Sequence, residues 1–199
     1  MQTSSLLPPR VNRALSALIA LTALGAGFVS APRAARAQVS KIIPIRLKIG
    51  ALLPGDGDTK GFAGSTHLSG EIDVALPSSG GGQTSLVSLG YSEGRRSGRK
   101  YRVIPLSLTK VSSPGNPASG LTGNLYYGLG LGLYFVQASG IDAPSGSATS
   151  KSRTLLGTSL VAGYQSPTSF FVEGKYHLVA GSVEGFSPNG FSLFIGKRL

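Results

Sequence analysis

The sequence predicts an all-β fold, an eight-stranded antiparallel up-and-down transmembrane β-barrel, and three observations carry that expectation. The first is the run Asn124–Val136, NLYYGLGLGLYFV. Counted by twos, one face holds Leu125, Tyr127, Leu129, Leu131, Leu133 and Phe135, while the other holds Tyr126, Gly128, Gly130, Gly132 and Tyr134. Period two belongs to a strand, and three interior glycines would each weaken a helix by about 1 kcal/mol. Six apolar positions on one face extend roughly 20 Å, close to the height of the apolar band of a membrane barrel. The second observation is that Gly, Pro and Ser clusters cut the remaining chain into seven more alternating segments. The third is that no apolar run after residue 37 is long enough for a membrane helix, which leaves a closed barrel as the only spanning form.

The first 37 residues contain four arginines and no acidic residue. A polar start with Arg10 and Arg13 is followed by the apolar stretch Ala14–Ser30 and by APRAARA, which ends in the small-x-small triplet Ala35-Arg36-Ala37. That is the layout of a secretory signal peptide cleaved before Gln38, leaving residues 38–199 as one barrel domain.

The strands follow in order. The first, Ile42–Leu53, sets Ile43, Ile45, Leu47, Ile49 and Ala51 against Arg46, Lys48 and Gly50. The second, Thr66–Leu76, opposes Leu68, Ile72, Val74 and Leu76 to His67, Ser69, Glu71 and Asp73. The third, Thr84–Tyr91, places Val87, Leu89 and Tyr91 opposite Leu86, Ser88 and Gly90. The fourth, Tyr101–Lys110, places Ile104, Leu106 and Leu108 opposite Val103, Pro105, Ser107 and Thr109; its proline lacks a ladder donor and points to a bulge or to a different strand boundary. The glycine-rich run is the fifth. The sixth, Arg153–Tyr164, sets Leu156, Leu160, Ala162 and Tyr164 against Arg153, Gly157, Ser159 and Gly163. The seventh, Phe170–Val179, sets Phe170, Val172, Tyr176 and Leu178 against Glu173, Lys175 and His177. The eighth, Gly190–Leu199, sets Phe191, Leu193 and Ile195 against Ser192, Gly196 and Arg198. Connections at 54–65, 92–100, 137–152 and 180–189 are long, and those at 77–83 and 165–168 are short, the alternation of outer loops and inner turns; Val111–Gly123 is long where a short turn is expected. An even strand count places both ends on the inner, periplasmic side.

Fifteen basic residues face eight acidic ones after residue 37. With an export signal, that balance points to anionic lipid rather than nucleic acid. The chain has no Cys, which excludes disulfides, and only two His, which argues against a dedicated transition-metal site.

The pattern resembles the small eight-stranded outer-membrane barrel proteins of the OmpA-, OmpX- and OmpW-like group over about residues 40–199. The resemblance implies an outer-membrane location, a monomer, and assembly by the barrel-assembly machinery, which reads the C-terminal strand. The tail FSLFIGKRL supplies Phe191, Leu193 and Ile195 in that register, and departs from it at Lys197 and at the non-aromatic Leu199.

In such a barrel the lumen charge network comprises Arg46, Lys48, Glu71, Asp73, Glu173, Lys175, His177 and Arg198. An eight-stranded interior is just wide enough for side chains, so these charges must pair. The network reads first as a structural plug and second as a narrow conductive path. The lipid-facing set is Leu125, Leu129, Leu131, Leu133 and Phe135. Arg95, Arg96, Arg99 and Lys100 form a surface-loop basic patch suited to lipopolysaccharide phosphates or to plain solvation. PGDGDTK at 54–60 has a calcium-loop look but lacks the later ligands, so a flexible outer loop is expected there; Gln137–Thr149 is expected to be a mobile loop. No catalytic residue, cofactor or metal is expected. The role anticipated is structural, surface-interacting or porin-like permeation of small solutes. Two alternatives stand beside it. One is a soluble lipocalin-like barrel binding an apolar ligand among Leu125, Leu129, Leu131 and Leu133; the other is an outer-membrane lipid hydrolase using His67 and Ser69. The membrane reading makes Leu131→Arg block insertion and leaves Gly130→Ala tolerated, its glycines making room for charges from other strands.

Overall fold

The computed structural model describes residues 44–77, 83–113, 124–142 and 148–199. Residues 1–43, which include the leader and Ile42 and Ile43 of the expected first strand, and residues 78–82, 114–123 and 143–147 lie outside the described residues.

Eight antiparallel strands follow one another around a closed barrel. They are β1 (Ile45–Pro54), β2 (His67–Leu76), β3 (Gln83–Arg96), β4 (Arg99–Ser112), β5 (Asn124–Asp142), β6 (Ala148–Gln165), β7 (Phe170–Val179) and β8 (Gly190–Arg198). The barrel closes where β1 runs against β8, from Arg46 opposite Arg198 to Pro54 opposite Gly190. Every predicted strand is present, and the two faces of each segment fall as period two requires. β1, for example, buries Arg46, Lys48 and Leu52 and exposes Ile45, Leu47 and Ile49.

The differences concentrate at one end. Where a loop over 92–100 is expected, β3 and β4 continue to a two-residue turn at Ser97–Gly98, both with positive φ (48° and 77°). This is the primed-turn geometry that matches strand twist, and the Ser-Gly pair was its signal. The anticipated mobile loop at 137–149 is mostly strand too: β5 and β6 stay paired to Asp142 opposite Ala148, with a register shift between Ser139 and Ile141. Gly140 supplies the shift at φ 81°, where an added Cβ would press on the Gly98 carbonyl. The expected flexible loop after β1 contains a short helix, α1 (Gly57–Ala63). Asp56 caps it, its carboxylate accepting from Thr59 N at 3.0 Å and Thr59 Oγ1 at 2.8 Å. The calcium-like acidic run is thus a helix start, and among the described residues no acidic or histidine cluster could hold a metal ion.

Pro105 is accommodated with neither the expected bulge nor a wrong strand boundary, since the register is the same on both sides of it. The β3–β4 pairing runs to Leu89 opposite Leu106 and resumes at Ser92 opposite Val103, and the Pro105 ring packs where Gly90 carries no side chain. Facing glycines with rings recurs: Tyr126 lies over Gly163, Tyr134 over Gly157, Phe171 over Gly196 and His67 over Gly94. Large rings therefore lie flat against bare neighbouring backbone in a lumen too narrow for them to stand upright.

Gly128, Gly130 and Gly132 of β5 do a different job from the one expected. A Cβ at Gly130 would sit 2.5 Å from Ser159 Oγ and 2.6 Å from Thr109 Oγ1, and one at Gly132 would sit 2.6 Å from the Leu106 carbonyl. The space is taken by adjacent strands, not by arriving charges. Gly130→Ala is therefore expected to destabilise the barrel by about 1–3 kcal/mol, the usual cost of overpacking, measured by urea-induced unfolding in detergent; unchanged stability would refute the close approach.

Candidate functional site

Two regions concentrate chemistry: a charged belt inside the barrel and a basic hairpin at the helix end.

The belt is built from inward positions of β1, β2 and β7. Arg46 and Lys48 sit opposite Asp73 and Glu71 in the β1–β2 register. Across the lumen come Glu173 and Lys175. Lys48 Nζ lies at the centre, 2.5 Å from Glu71 Oε1, 2.7 Å from Glu173 Oε1 and 3.0 Å from Asp73 Oδ2. Lys175 Nζ donates to both oxygens of Glu71 at 2.9 Å. Arg46 Nη2 meets Glu173 Oε2 at 3.0 Å and donates to Tyr126 Oη at 2.6 Å, and that hydroxyl in turn donates to Glu173 at 2.9 Å. Three cations thus meet three carboxylates, all buried. Asp73 is the least satisfied member: neither oxygen has an aligned hydrogen bond, and Arg46 Nε is 3.8 Å away. Aromatic faces complete the belt, with the Arg46 guanidinium 4.0 Å from the Phe171 ring centre and Lys48 Nζ 5.3 Å from that of Phe194.

His177 belongs to a neighbouring cluster, hydrogen-bonded at 3.1 Å to Tyr134 Oη and at 3.1 Å to Ser192 Oγ. Arg198 does not join the belt. It stands at the barrel rim and is exposed, because the inward alternation of β8 runs out at Gly196. Sequence reasoning missed Tyr126, Phe171 and Phe194. The first was visible as an inward aromatic of the fifth strand, but nothing in its spacing showed which charges it would bridge.

Apolar layers lie on both sides of the belt. Ala75, Leu86, Val111, Tyr126 and Val161 pack together toward the end holding the chain terminus. Toward the helix end, Tyr101, Val103, Tyr134, Val136, Leu155 and Val179 pack with Phe62 of α1 and with Val183 and Phe186 of the β7–β8 connection. Phe62 stacks on Phe186 with ring centres 4.1 Å apart, and Thr59 Oγ1 accepts from Ser187 N at 3.0 Å. α1 is thereby a cork tied to the β7–β8 connection, its neighbour around the barrel mouth across the β1–β8 seam. Between these layers a cavity of about 20 Å³, bordered by Ser69, Glu71, Ser92 and His177, has room for one water.

The hydrolase pair is not assembled. His67 Nε2 donates to the Gly64 carbonyl at 3.1 Å, Ser69 Oγ donates to the Tyr91 carbonyl at 3.3 Å, and both side chains are buried in the lumen. Leu125, Leu129, Leu131, Leu133 and Phe135 all face outward, 38–55 % exposed, which inverts the arrangement that a lipocalin-like interior requires.

On the hairpin, Arg95 and Arg96 stand directly opposite Lys100 and Arg99. They are on paired strands rather than on a loop. Glu93, two residues beyond the exposed Tyr91, accepts from Arg95 Nε at 2.6 Å, pairs with Lys100 Nζ at 2.8 Å and with Arg102 Nε at 3.3 Å, and also accepts the Tyr91 hydroxyl. Partial burial alone would push its carboxyl up, but hydrogen bonds from Lys100, Tyr91, Arg95 and Arg102 hold it down at about 2, below the usual 4.5. A carboxyl with a depressed folded value stabilises above its ordinary range and loses that contribution as pH falls through about 2. A carbon-detected NMR titration should place the Glu93 midpoint near 2 and return it toward 4.5 in K100Q/R102Q; a midpoint near 4.5 in the parent chain would mean that the cluster does not form.

No family model matches the chain, and no curated protein matches its sequence. Two solved structures share the fold. Neisserial surface protein A superposes with a TM-score of 0.58 at 13 % identity, covering 79 % of this chain and 96 % of that one. The N-terminal β-barrel domain of Pseudomonas aeruginosa OprF gives 0.51 at 16 % identity, covering 78 % and 97 %.

Proposed function

We propose that the protein is an exported outer-membrane barrel with a sealed lumen, serving as a structural, surface-displaying component and not as a channel or an enzyme. The observation that carries the reading is the inversion of polarity. Every strand turns large apolar side chains outward, Ile49, Leu68, Leu129 and Ile195 each being more than half exposed, while six charged side chains are buried inside. Water would penalise that exterior and hydrocarbon would not. The closed barrel pairs the backbone groups of its strands with one another, as a bilayer demands. The shared fold with a neisserial surface protein and with the OprF barrel domain supports the same reading.

The sealed lumen favours a structural role over permeation. A conductive path needs continuous water, whereas here an apolar layer stands on each side of a neutral belt and the cavity between them has room for a single water. Expressed in full in a Gram-negative host, the chain is expected to resist carbonate extraction and to run heat-modifiably on gels. Planar bilayers containing the purified barrel are expected to show no unitary conductance. A freely soluble product would overturn the membrane assignment, and steady single-channel steps would overturn the sealed lumen.

A further inference from the structure

We infer that the outward face of the β3–β4 hairpin is a binding site for the phosphates of a bis-phosphorylated glycolipid in the outer leaflet. The inference rests on the membrane reading above and names the partner of its surface.

Three placements carry it. The first is height. Tyr91 on β3, Ile104 on β4 and Phe135 on β5 are outward positions near the upper edge of the apolar exterior. One outward step further along the strands, about 7 Å, come Glu93 and its partner Arg102; a second step brings Arg95 and its partner Lys100. These cations therefore face sideways at the level where the headgroups of a bilayer begin. The second is charge. Three cations surround the single carboxylate of Glu93, so the cluster keeps two positive charges in excess, with the Arg95 side chain 71 % exposed. Glu93 and the Tyr91 hydroxyl hold the cationic groups in place before any ligand arrives, which lowers the ordering cost of binding. The third is an apparent cost. Arg95 opposite Lys100 and Arg96 opposite Arg99 are two successive like-charge cross-strand pairs, an arrangement that weakens a hairpin. Glu93 offsets the first pair from within, and bound phosphate would offset the positive charge that remains. Guanidinium forks flanking an ammonium suit the oxygens of two phosphates, and acyl chains anchored beside Tyr91 and Phe135 would hold those phosphates at this height.

The test uses the full-length barrel in nonionic detergent, titrated with bis-phosphorylated lipid A and followed by native mass spectrometry. Heat-modifiability verifies folding of every variant. R95Q/K100Q/R102Q is expected to weaken lipid A binding by about tenfold, the combined effect of three exposed ion pairs. K110Q/K197Q/R198Q, which removes equal charge from the other end, is expected to leave binding within about twofold, below the effect of a single such pair. Dephosphorylated lipid A is expected to bind the parent chain no better than it binds the triple variant. Equal losses in the two triple variants would reduce the effect to net charge and overturn the site. Displacement of lipid A by inorganic phosphate at matching concentration would also overturn it, leaving a free-phosphate site. Either failure would leave carbonate resistance intact, whereas failure of the membrane reading would show as a soluble barrel.

Discussion

Lys48→Met is expected to destabilise the barrel by about 3–5 kcal/mol, the cost of leaving a buried charge without its partner. Lys48 Nζ is the one cation within 3.0 Å of three carboxylates among the described residues. Without it, Glu71 keeps Lys175 and Glu173 keeps Arg46, each through hydrogen bonds of 3.0 Å or less. Asp73 keeps only Arg46 at 3.8 Å and becomes an almost isolated buried anion. The double variant K48M/D73N restores neutrality, and methionine fills nearly the volume of the lysine stem, so most of the loss should be recovered. Urea unfolding of the purified barrel in detergent or lipid reads both values. Equal instability of the single and double variants would mean that packing beside Phe194, not charge balance, is what Lys48 supplies. A stable K48M would mean that water reaches the belt and that the lumen is open.

This expectation shows which parts of the molecule were legible in the sequence. Period two assigns Arg46, Lys48, Glu71, Asp73, Glu173 and Lys175 to inward faces, and an eight-strand closure leaves them only each other as partners. Alternation says nothing about where a strand stops. Arg198 has the inward parity of β8 but stands past the last covered rung, so parity alone misplaced it. The same blindness hid the upper ends of β3 to β6. Gln137–Ser139 and Ser150–Ser152 carry no apolar alternation, and their pairing comes from propagation of a register already set by the strands below. Helix α1 was hidden for another reason. Seven residues with two glycines have little helical propensity of their own, and what holds them is the Asp56 cap together with the Phe62–Phe186 stack, a contact made with a segment more than 120 residues away.

The second large effect lies on the opposite face of the barrel wall. Leu131 occupies the middle of the outward row of β5, level with Leu108 on β4 and Thr158 on β6, and is 38 % exposed. In a bilayer that position lies near the midplane, where an arginine costs about 2–4 kcal/mol. Leu131→Arg is therefore expected to cut the amount of heat-modifiable, carbonate-resistant barrel severalfold, with the remainder degraded or aggregated. The same change at Ile45, at the terminus end of β1, should be milder, because a side chain there reaches the headgroups. Depth dependence is the discriminating quantity. A soluble barrel with this fold would gain from either arginine, since each replaces a large exposed apolar group with a charge. Equal or improved yield of soluble L131R would mean that the outer surface meets water, and that the outward leucines answer to a protein partner instead of lipid.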